Sequence, residues 1–424
     1  MREATATECE LREVVHRSYP SEGTVTVRCT VRPAECDARA DGYGTATTEA
    51  VARAKALSEA VERLVACTPF TTVARPPTAF ADPGTGSGPV PPFPAAGVRT
   101  APDGCAGRVY RPLTGGGPRR VPLYWSSPWT AGAELRAGTL TAAQARLSST
   151  VGWAVAPTPE AALRSALLEL TELIGYGVFL HRRLAGPPRR PSADDRTLVV
   201  PLDGVGRTPA VLAVAYGRGR LMPATGLGCG ATRAEATGRA LLELAQAQTM
   251  WRSNPTAEPA ERFFLRRFER WPLLTRCATL DFDLKGPDGP GGPHALHDMH
   301  APAPYEDEPR PASPLEELEA GGIRVWADSG ALDISGPDIP RTRLCFAHVV
   351  SDPQPLLGLV RAGIPVFDTG EVRRTLDPSR RSADPADPAD RAAPADVRRD
   401  RRDRRDRSAD RGPARRGREG RRSA

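Results

Sequence analysis

The chain has little lysine, no closely paired cysteines and no long apolar run. Only two of its 58 basic residues are lysines, Lys55 and Lys285. No segment approaches the roughly 20 apolar residues that cross a bilayer, and no basic-then-apolar leader follows Met1. We therefore expect a soluble, cytoplasmic protein with no membrane partner. The eight cysteines include no Cys-x-x-Cys pair, which disfavours a disulfide scaffold or a structural zinc site and favours small buried hydrophobes.

Familiar phosphate-binding motifs are missing too. There is no G-x-x-x-x-G-K-[ST] loop. The stretch "GLGCGA" (226–231) superficially resembles a dinucleotide fingerprint, but it lacks the glycine spacing and an obvious partner acid. Half of the six histidines, His294, His297 and His300, lie in a segment rich in Pro and Gly. Such a segment does not preorganise metal ligands, so we interpret it as a solvated loop.

The net charge of +7 lies wholly at the C-terminal end. Residues 371–424 hold 18 Arg and 11 acidic residues, which leaves 40 basic and 40 acidic residues in 1–370. Because this segment has almost no apolar side chains to bury, we predict a disordered Arg/Asp-rich tail. The Asp residues between its arginines disfavour nucleic acid as a partner and favour a solvated spacer.

Residues 1–370 combine strand-like and helix-like patterns, which indicates an α/β or α+β fold in a single domain. Two stretches rich in Pro and Gly, 68–107 and 286–313, predict long loops within it. The predicted strands are 23–31, 196–202, 210–216, 322–328 and 343–350. The predicted helices are about 47–67, 158–182, 232–252 and 313–320.

Three of the predicted helices share the pattern A-L-x-E-x-x-[E/Q]. It occurs in "AKALSEAVER" (54–63), "RSALLELTEL" (164–173) and "GRALLELAQA" (238–247). A spacing of three places both polar side chains of a pair on one helical face. The pairs are Glu59 and Glu62, Glu169 and Glu172, and Glu243 and Gln246.

The second helix is otherwise almost wholly apolar, so its carboxylates need an explanation. Burying unpaired carboxylates costs several kcal/mol each. They therefore face a polar cleft or a cation, and such oxygen ligands suit Mg²⁺, particularly when a nucleotide phosphate completes its shell. Two ordinary alternatives remain open: a surface salt-bridge ladder of Lys55, Glu59 and Arg63 in the first helix, and a solvated strip in the third.

The three motifs, in this order and spacing, resemble those of the YcaO domain family over roughly residues 20–370. "GYGTATTEAVARAKALSEAVERLVA" (42–66) is similar to its Gly-rich turn and helix with S-A-x-x-E-A-x-E-R. "VGWAVAPTPEAALRSALLELTEL" (151–173) is similar without a gap to N-G-x-A-x-G-x-T-x-x-x-A followed by E-L-x-E-R. "GLGCGATRAEATGRALLELAQAQ" (226–248) is similar to G-x-G-A-H…R-A-L-x-E-x-x-Q-x-R.

The resemblance implies a YcaO-like fold, with mixed sheets and helices around a nucleotide cleft, and the cofactors ATP and Mg²⁺. It implies maturation of a ribosomally synthesised peptide natural product: a nucleophile attacks a backbone carbonyl and the amide oxygen is phosphorylated. A Cys, Ser or Thr side chain then yields an azoline, and external sulfide yields a thioamide. Carried over by position, Glu243 and Gln246 would line the nucleotide site and Arg63 would contact phosphate. The implied metal ligands are Glu59, Glu62, Glu169 and Glu172.

The sequence departs from the family pattern at five positions and lacks the Pro-x-Pro-x-Pro ending typical of azoline-forming members. The departures are Lys55 for Ser, Val151 for Asn, Leu173 for Arg, Gly230 for His and Gln248 for Arg. Lys55 either replaces lost positive charge near the phosphates or is a helix former paired with Glu59.

Two hypotheses follow from the retained acids and the lost phosphate contacts. The chain is an active ATP-dependent enzyme, or it is a degenerate, non-catalytic scaffold subunit. The expected partners are a precursor peptide and a separate leader-peptide-binding or second biosynthetic subunit, and a homodimer stays open.

Overall fold

The computed structural model describes residues 6–79, 104–145, 148–184, 197–202, 206–217, 220–266, 268–269, 272–282, 284, 313–352 and 354. The three histidines of the second predicted loop and the predicted tail lie outside these residues. The described part of the predicted loop at 68–107 is not all loop, because it contains a short helix and parts of two strands. No helix among the described residues has the length and apolarity to span a bilayer.

The described chain forms strands and helices of very different lengths. The strands are β1 (Thr7–Ser21), β2 (Thr24–Pro33), β3 (Ala40–Ala46), β4 (Thr78–Ala79), β5 (Ala106–Pro112), β6 (Arg119–Pro122), β7 (Trp153–Ala156), β8 (Leu198–Leu202), β9 (Ala210–Ala215), β10 (Ala224–Cys229), β11 (Arg324–Gly336) and β12 (Ile339–Asp352). The helices are α1 (Glu49–Cys67), α2 (Phe70–Ala74), α3 (Leu123–Ser126), α4 (Pro128–Ala137), α5 (Ala142–Ala145), α6 (Pro159–Leu184), α7 (Arg233–Ser253), α8 (Ala257–Arg266), α9 (Pro272–Thr279) and α10 (Pro314–Ala320). The mixed α/β class predicted from sequence is confirmed.

The strands form two sheets. The larger follows the order β3-β2-β1-β11-β12-β7, with β5 also joined to β11 and β4 and β6 joined to β5. Its pairs are antiparallel except for β1 and β11, which run parallel. The smaller sheet has the order β10-β9-β8 and is antiparallel. Helix α6 contacts both sheets, through β12 and β7 on one and β8, β9 and β10 on the other.

Three apolar cores hold the helices on the sheets. One core joins α1 to β1, β2 and β3, the second joins α6 and α10 to β11 and β12, and the third joins α7 to β9 and β10. Six of the eight cysteines are buried, as the sequence predicts. Burial raises the pKa of Cys9, Cys29 and Cys229 to about 12, so these thiols stay protonated and unreactive.

Glycines bring two of the helices directly onto their strands. A Cβ on Gly42 or Gly44 of β3 would overlap backbone atoms of Ala60 or Ala52 on α1. A Cβ on Gly226 or Gly228 of β10 would likewise overlap backbone atoms of Ala240 or Ala236 on α7. The "GLGCGA" stretch is therefore a strand whose glycines serve helix packing.

The described residues thus contain three strand–helix repeats: β3 with α1, β7 with α6, and β10 with α7. Each helix begins directly after a Thr whose hydroxyl accepts a hydrogen bond from the backbone N–H three residues later. These N-cap residues are Thr48, Thr158 and Thr232. The first glutamate of each pair follows its Thr by the same eleven residues, so all three pairs take up equivalent positions on their helices.

Candidate functional site

The five glutamates of the three pairs form one carboxylate cluster. It consists of Glu59, Glu62, Glu169, Glu172 and Glu243, contributed by α1, α6 and α7. Water reaches all of them, because four are half-buried and Glu243 is exposed. The acids of the apolar α6 therefore face an open polar site, which is one of the two solutions that the sequence allows.

The first carboxylate of each pair is anchored by a backbone N–H of the strand in its own repeat. Glu59 Oε2 accepts from Tyr43 N at 3.0 Å, and Glu243 Oε2 accepts from Leu227 N at 2.8 Å. Tyr43 and Leu227 are equivalent positions of their strands. Glu169 Oε2 accepts from Gly152 N at 3.2 Å, just before β7. Each anchor fixes one oxygen of the carboxylate to the sheet.

Two of the three second residues, Glu172 and Gln246, reach the strand of the next repeat. Burial raises the pKa of Glu172 on α6, and the nearby backbone of Cys229 on β10 lowers it. Gln246 Oε1 on α7 accepts from the Thr45 hydroxyl on β3 at 3.3 Å. The elements pack in the same cyclic order, since α1 contacts β7, α6 contacts β10 and α7 contacts β3. The packing of these elements therefore links the three repeats in a closed ring.

Glu62, the remaining second residue, has no hydrogen-bond partner among the described residues. Its neighbours act on it only through charge, with Glu59 raising its pKa and Arg63 lowering it. Both oxygens of this carboxylate are thus available to a ligand. Of the cluster, Glu62 is the carboxylate least committed to holding the fold together.

Burial and mutual repulsion make the cluster electrostatically unfavourable. Burial raises the pKa of Glu62 and of Glu172 to about 8. The pKa of Glu169 is raised well above its ordinary value, first by burial and then by Glu62 and Glu172. Carboxylates that repel one another in this way are stabilised by a divalent cation.

The cations predicted near the phosphates are held by the protein. Arg63 forms an ion pair with Glu59 at 3.1 Å, one helical turn away. The predicted ladder is therefore only half correct, because Lys55 Nζ donates to the Thr45 carbonyl oxygen at 3.2 Å instead of pairing with Glu59. Burial, and then the charge of Arg239, lower the pKa of Lys55. Arg239, which occupies the equivalent position on α7, forms an ion pair with Glu235 at 2.9 Å and acts on Lys55 through its charge.

The third pair is not a freely solvated strip. Glu243 and Gln246 are both hydrogen-bonded to strands, as described above, although each is at least partly open to water.

The side chain of Glu235 lies against Gly230, where a Cβ would come within 2.8 Å of the Cδ atom of Glu235. An acid on α7 therefore lies against the position at which the family pattern has His.

The oxygen donors fit Mg²⁺ better than a metal held by protein ligands alone. Among the described residues, no three His, Cys, Asp or Glu side chains converge as a metal site would require. Mg²⁺ usually takes only one or two carboxylates and completes its shell with phosphate oxygens and water. Glu62, Glu169 and Glu172 are placed to supply such carboxylates, whereas both oxygens of Glu59 already accept hydrogen bonds.

A surface pocket of about 540 Å³ lies elsewhere and contains none of the predicted site residues. It is lined by Leu221, Arg262, Leu265, Arg266, Glu269, Pro272 and Thr275. No sequence motif predicts this pocket, since its lining comes from α8, α9 and neighbouring turns that carry none of the repeated motifs.

The fold and the cluster define a mixed α/β protein whose acidic site is assembled from three strand–helix repeats. A family model described as YcaO cyclodehydratase, ATP- and Mg²⁺-binding, matches residues 43–327. The chain belongs to the YcaO family, which confirms the resemblance seen in the sequence. No curated protein matches the chain.

Solved structures of YcaO-type proteins are similar to the chain at low identity. YcaO from Methanopyrus kandleri, solved with AMPPCP and Mg²⁺, is 19% identical over 88% of this chain and 90% of that chain, with a TM-score of 0.50. A heterocyclase in complex with substrate and cofactor is 17% identical over 81% of this chain and 50% of that chain, with a TM-score of 0.48. A chain of the E. coli microcin synthetase McbBCD complex is 11% identical over 80% of this chain and 87% of that chain, with a TM-score of 0.47.

Proposed function

We propose that this chain binds ATP with Mg²⁺ at the carboxylate cluster and activates backbone amides of a ribosomally synthesised peptide. The observation that carries the proposal is the arrangement of three carboxylate-bearing helices, in one register, around a single solvent-reachable site. One or two of Glu62, Glu169 and Glu172 would hold Mg²⁺, and Lys55 and Arg239 would add positive charge for the phosphates. The precursor peptide and a separate leader-peptide-binding subunit are the partners that this function requires.

The nucleotide would supply the phosphoryl group that turns an amide oxygen into a leaving group. The residues of this chain would bind the nucleotide with Mg²⁺ and orient both. Glu169 and Glu243 each have one carboxylate oxygen hydrogen-bonded to a backbone N–H. This bond restricts the orientation of the carboxylate and therefore of its other oxygen. The product would be an azoline if a Cys, Ser or Thr of the peptide attacks, and a thioamide if sulfide attacks.

Calorimetric titration with AMPPCP, with and without Mg²⁺, tests the nucleotide site. We expect Mg²⁺-dependent binding in the native chain and its loss in Glu169→Gln, with a cooperative thermal unfolding transition retained in the variant. Glu160→Gln is the matched control, because Glu160 is an exposed acid in the first turn of the same helix. Equal affinity in the native chain and Glu169→Gln would refute this site. Incubation with ATP and a candidate precursor peptide, read by mass, then tests for loss of water or exchange of oxygen for sulfur.

A non-catalytic scaffold is the second candidate. The ion pair of Arg63 with Glu59 and the acid beside Gly230 favour it, since both reduce the positive charge offered to phosphates. The same titration separates the two, because a scaffold would not bind AMPPCP with Mg²⁺ and would still bind its partner subunit.

A further inference from the structure

His348 on β12 is a buried polar residue that the proposed function leaves unused. Its side chain lies in the interior, with the residue 2% exposed. Its ring nitrogens have one partner each: Nε2 lies 3.1 Å from the Val151 carbonyl oxygen, and Nδ1 lies 2.5 Å from the Tyr110 hydroxyl. A buried imidazole with both nitrogens engaged has a fixed orientation.

The partners of His348 determine which nitrogen carries the proton. A carbonyl oxygen can only accept, so Nε2–H donates to Val151. Burial, and to a lesser degree the charge of Arg108, lower the pKa of His348 to about 3, which keeps the ring neutral. Nδ1 then has a free lone pair and accepts from the Tyr110 hydroxyl, whose own pKa burial raises.

The hydrogen bonds continue from His348 to the carboxylate cluster through one peptide group. The Val151 carbonyl and the Gly152 N–H are two ends of the same peptide, and Gly152 N donates to Glu169 Oε2 at 3.2 Å. The donors therefore point in one direction, from Tyr110 through His348 and this peptide to Glu169. Hydrogen bonds arranged in such a chain polarise and strengthen one another.

The peptide between His348 and Glu169 has little freedom to turn. Gly152 has φ +83°, and a Cβ there would overlap the Val349 carbonyl oxygen. Val349 N donates to the Gly152 carbonyl at 2.9 Å, so two consecutive residues of β12 bond this turn. The Trp153 ring stacks on the His348 ring, with 4.8 Å between centroids. The turn is thus held from the side opposite the carboxylate.

We propose that His348 is a positioning residue for Glu169. Its Nε2–H orients the Val151–Gly152 peptide, and the peptide N–H holds one carboxylate oxygen so that the other is presented to a ligand. That this ligand is Mg²⁺ with a nucleotide depends on the proposed function. The orientation of the peptide does not rest on it.

The test compares His348→Leu with His348→Gln in the full chain. Gln can donate from its side-chain amide at about the reach of Nε2, whereas Leu fills space without donating. Exchange of the Gly152 amide hydrogen, followed by NMR on glycine-labelled protein, should be about ten-fold faster in His348→Leu and near native in His348→Gln. AMPPCP affinity in the presence of Mg²⁺ should weaken about ten-fold in His348→Leu and recover in His348→Gln, as for other partners behind a ligand.

A second comparison separates positioning from core packing. If His348 acts through Glu169, adding His348→Leu to Glu169→Gln should leave unchanged the weak, Mg²⁺-independent AMPPCP affinity that remains after Glu169→Gln. Equal losses in the Leu and Gln variants, an unchanged Gly152 exchange rate in His348→Leu, or a full additional loss beside Glu169→Gln would each overturn the proposal. Should the native chain fail to bind AMPPCP with Mg²⁺, the proposed function falls, and the exchange rate of Gly152 still decides the role of His348.

Discussion

The Thr45 hydroxyl donates to Gln246 Oε1 at 3.3 Å, across 201 residues of sequence. Thr45 lies on the strand of the first repeat and Gln246 on the helix of the third, so one hydrogen bond joins the two ends of the repeated series. Gln246 was predicted to line the nucleotide site. In the structure, Gln246 also connects the third repeat to the first.

A double-mutant cycle of Thr45→Val and Gln246→Leu should measure this connection. A neutral hydrogen bond contributes about 0.5–1.5 kcal/mol, so we expect a coupling energy of that size in the free energy of unfolding. Urea denaturation provides the measurement. Gln246→Leu combined with Thr171→Val, whose hydroxyl bonds locally within α6, should be additive. Additivity in both pairs would show that the Thr45–Gln246 bond contributes nothing.

Gly42→Ala should destabilise the protein strongly. The new Cβ would overlap the backbone of α1, and overpacking of this kind costs about 1–3 kcal/mol or more. Gly238→Ala is the matched control, because Gly238 lies in α7 with open space around it. Removing a mid-helix glycine there should stabilise by about 0.5–1 kcal/mol. Urea denaturation provides the measurement. A change in the free energy of unfolding of the same sign in both variants would contradict the close packing of β3 and α1.

Lys55→Ser should weaken nucleotide binding although it restores the family residue. The change removes a cation from a site that already has Leu173 and Gln248 where the family pattern has Arg. We expect a loss of about 1–2 kcal/mol, the size of a charge-assisted hydrogen bond. Calorimetric ATP affinity at one Mg²⁺ concentration measures it, with Arg53→Ser, an exposed partner of Glu49 on the same helix, as control. Tighter binding by Lys55→Ser would mean that the lysine obstructs the site.

The ligand-free protein should lose stability as the pH rises from about 5 to 8.5. Glu62 and Glu172 have pKa values of about 8 in the folded chain against 4.5 when unperturbed. Between these values the folded state binds protons that the unfolded state has released, so the free energy of unfolding falls with rising pH. Scanning calorimetry without divalent cations should show a falling Tm.

Glu172→Gln should reduce this slope, since an amide has no proton to lose. Glu160→Gln, a substitution outside the carboxylate cluster, should reproduce the native slope. A Tm that is flat or rising over the same range would contradict the electrostatics described for the cluster.

The longest helices could be predicted from the sequence, whereas β1, the longest strand, and the glycine-rich β3 and β10 could not. Helices α1, α6 and α7 have periodic apolar faces, and strands β2, β9 and β12 have alternating or continuous apolar stretches. Their predicted positions are confirmed to within a few residues. β3 and β10 were missed because their glycines are typical of turns. What makes glycine necessary there is a helix backbone lying directly on the strand, a tertiary contact that local propensity does not encode.

The carboxylate cluster was accessible to sequence reasoning because its acids repeat in one register on helices. The groups that hydrogen-bond to these acids and hold them in place could not be predicted. Gly152, Leu227 and Tyr43 act through backbone N–H groups, which carry no residue signature, and His348 lies about 180 residues from Glu169. Each strand–helix unit supplies its own anchor, whereas the links between units depend on how the three come together.

The cyclic order of the repeats has a consequence for how the molecule comes apart. In a linear array the terminal units fray first, because each has only one neighbour. Here α1 lies on β7, α6 on β10 and α7 on β3, so every unit has two neighbours and none is terminal. Loosening any one of them exposes a helix of one neighbour and a strand of the other. The three therefore open or close as a single cooperative unit, and the acidic site exists only when that unit is intact.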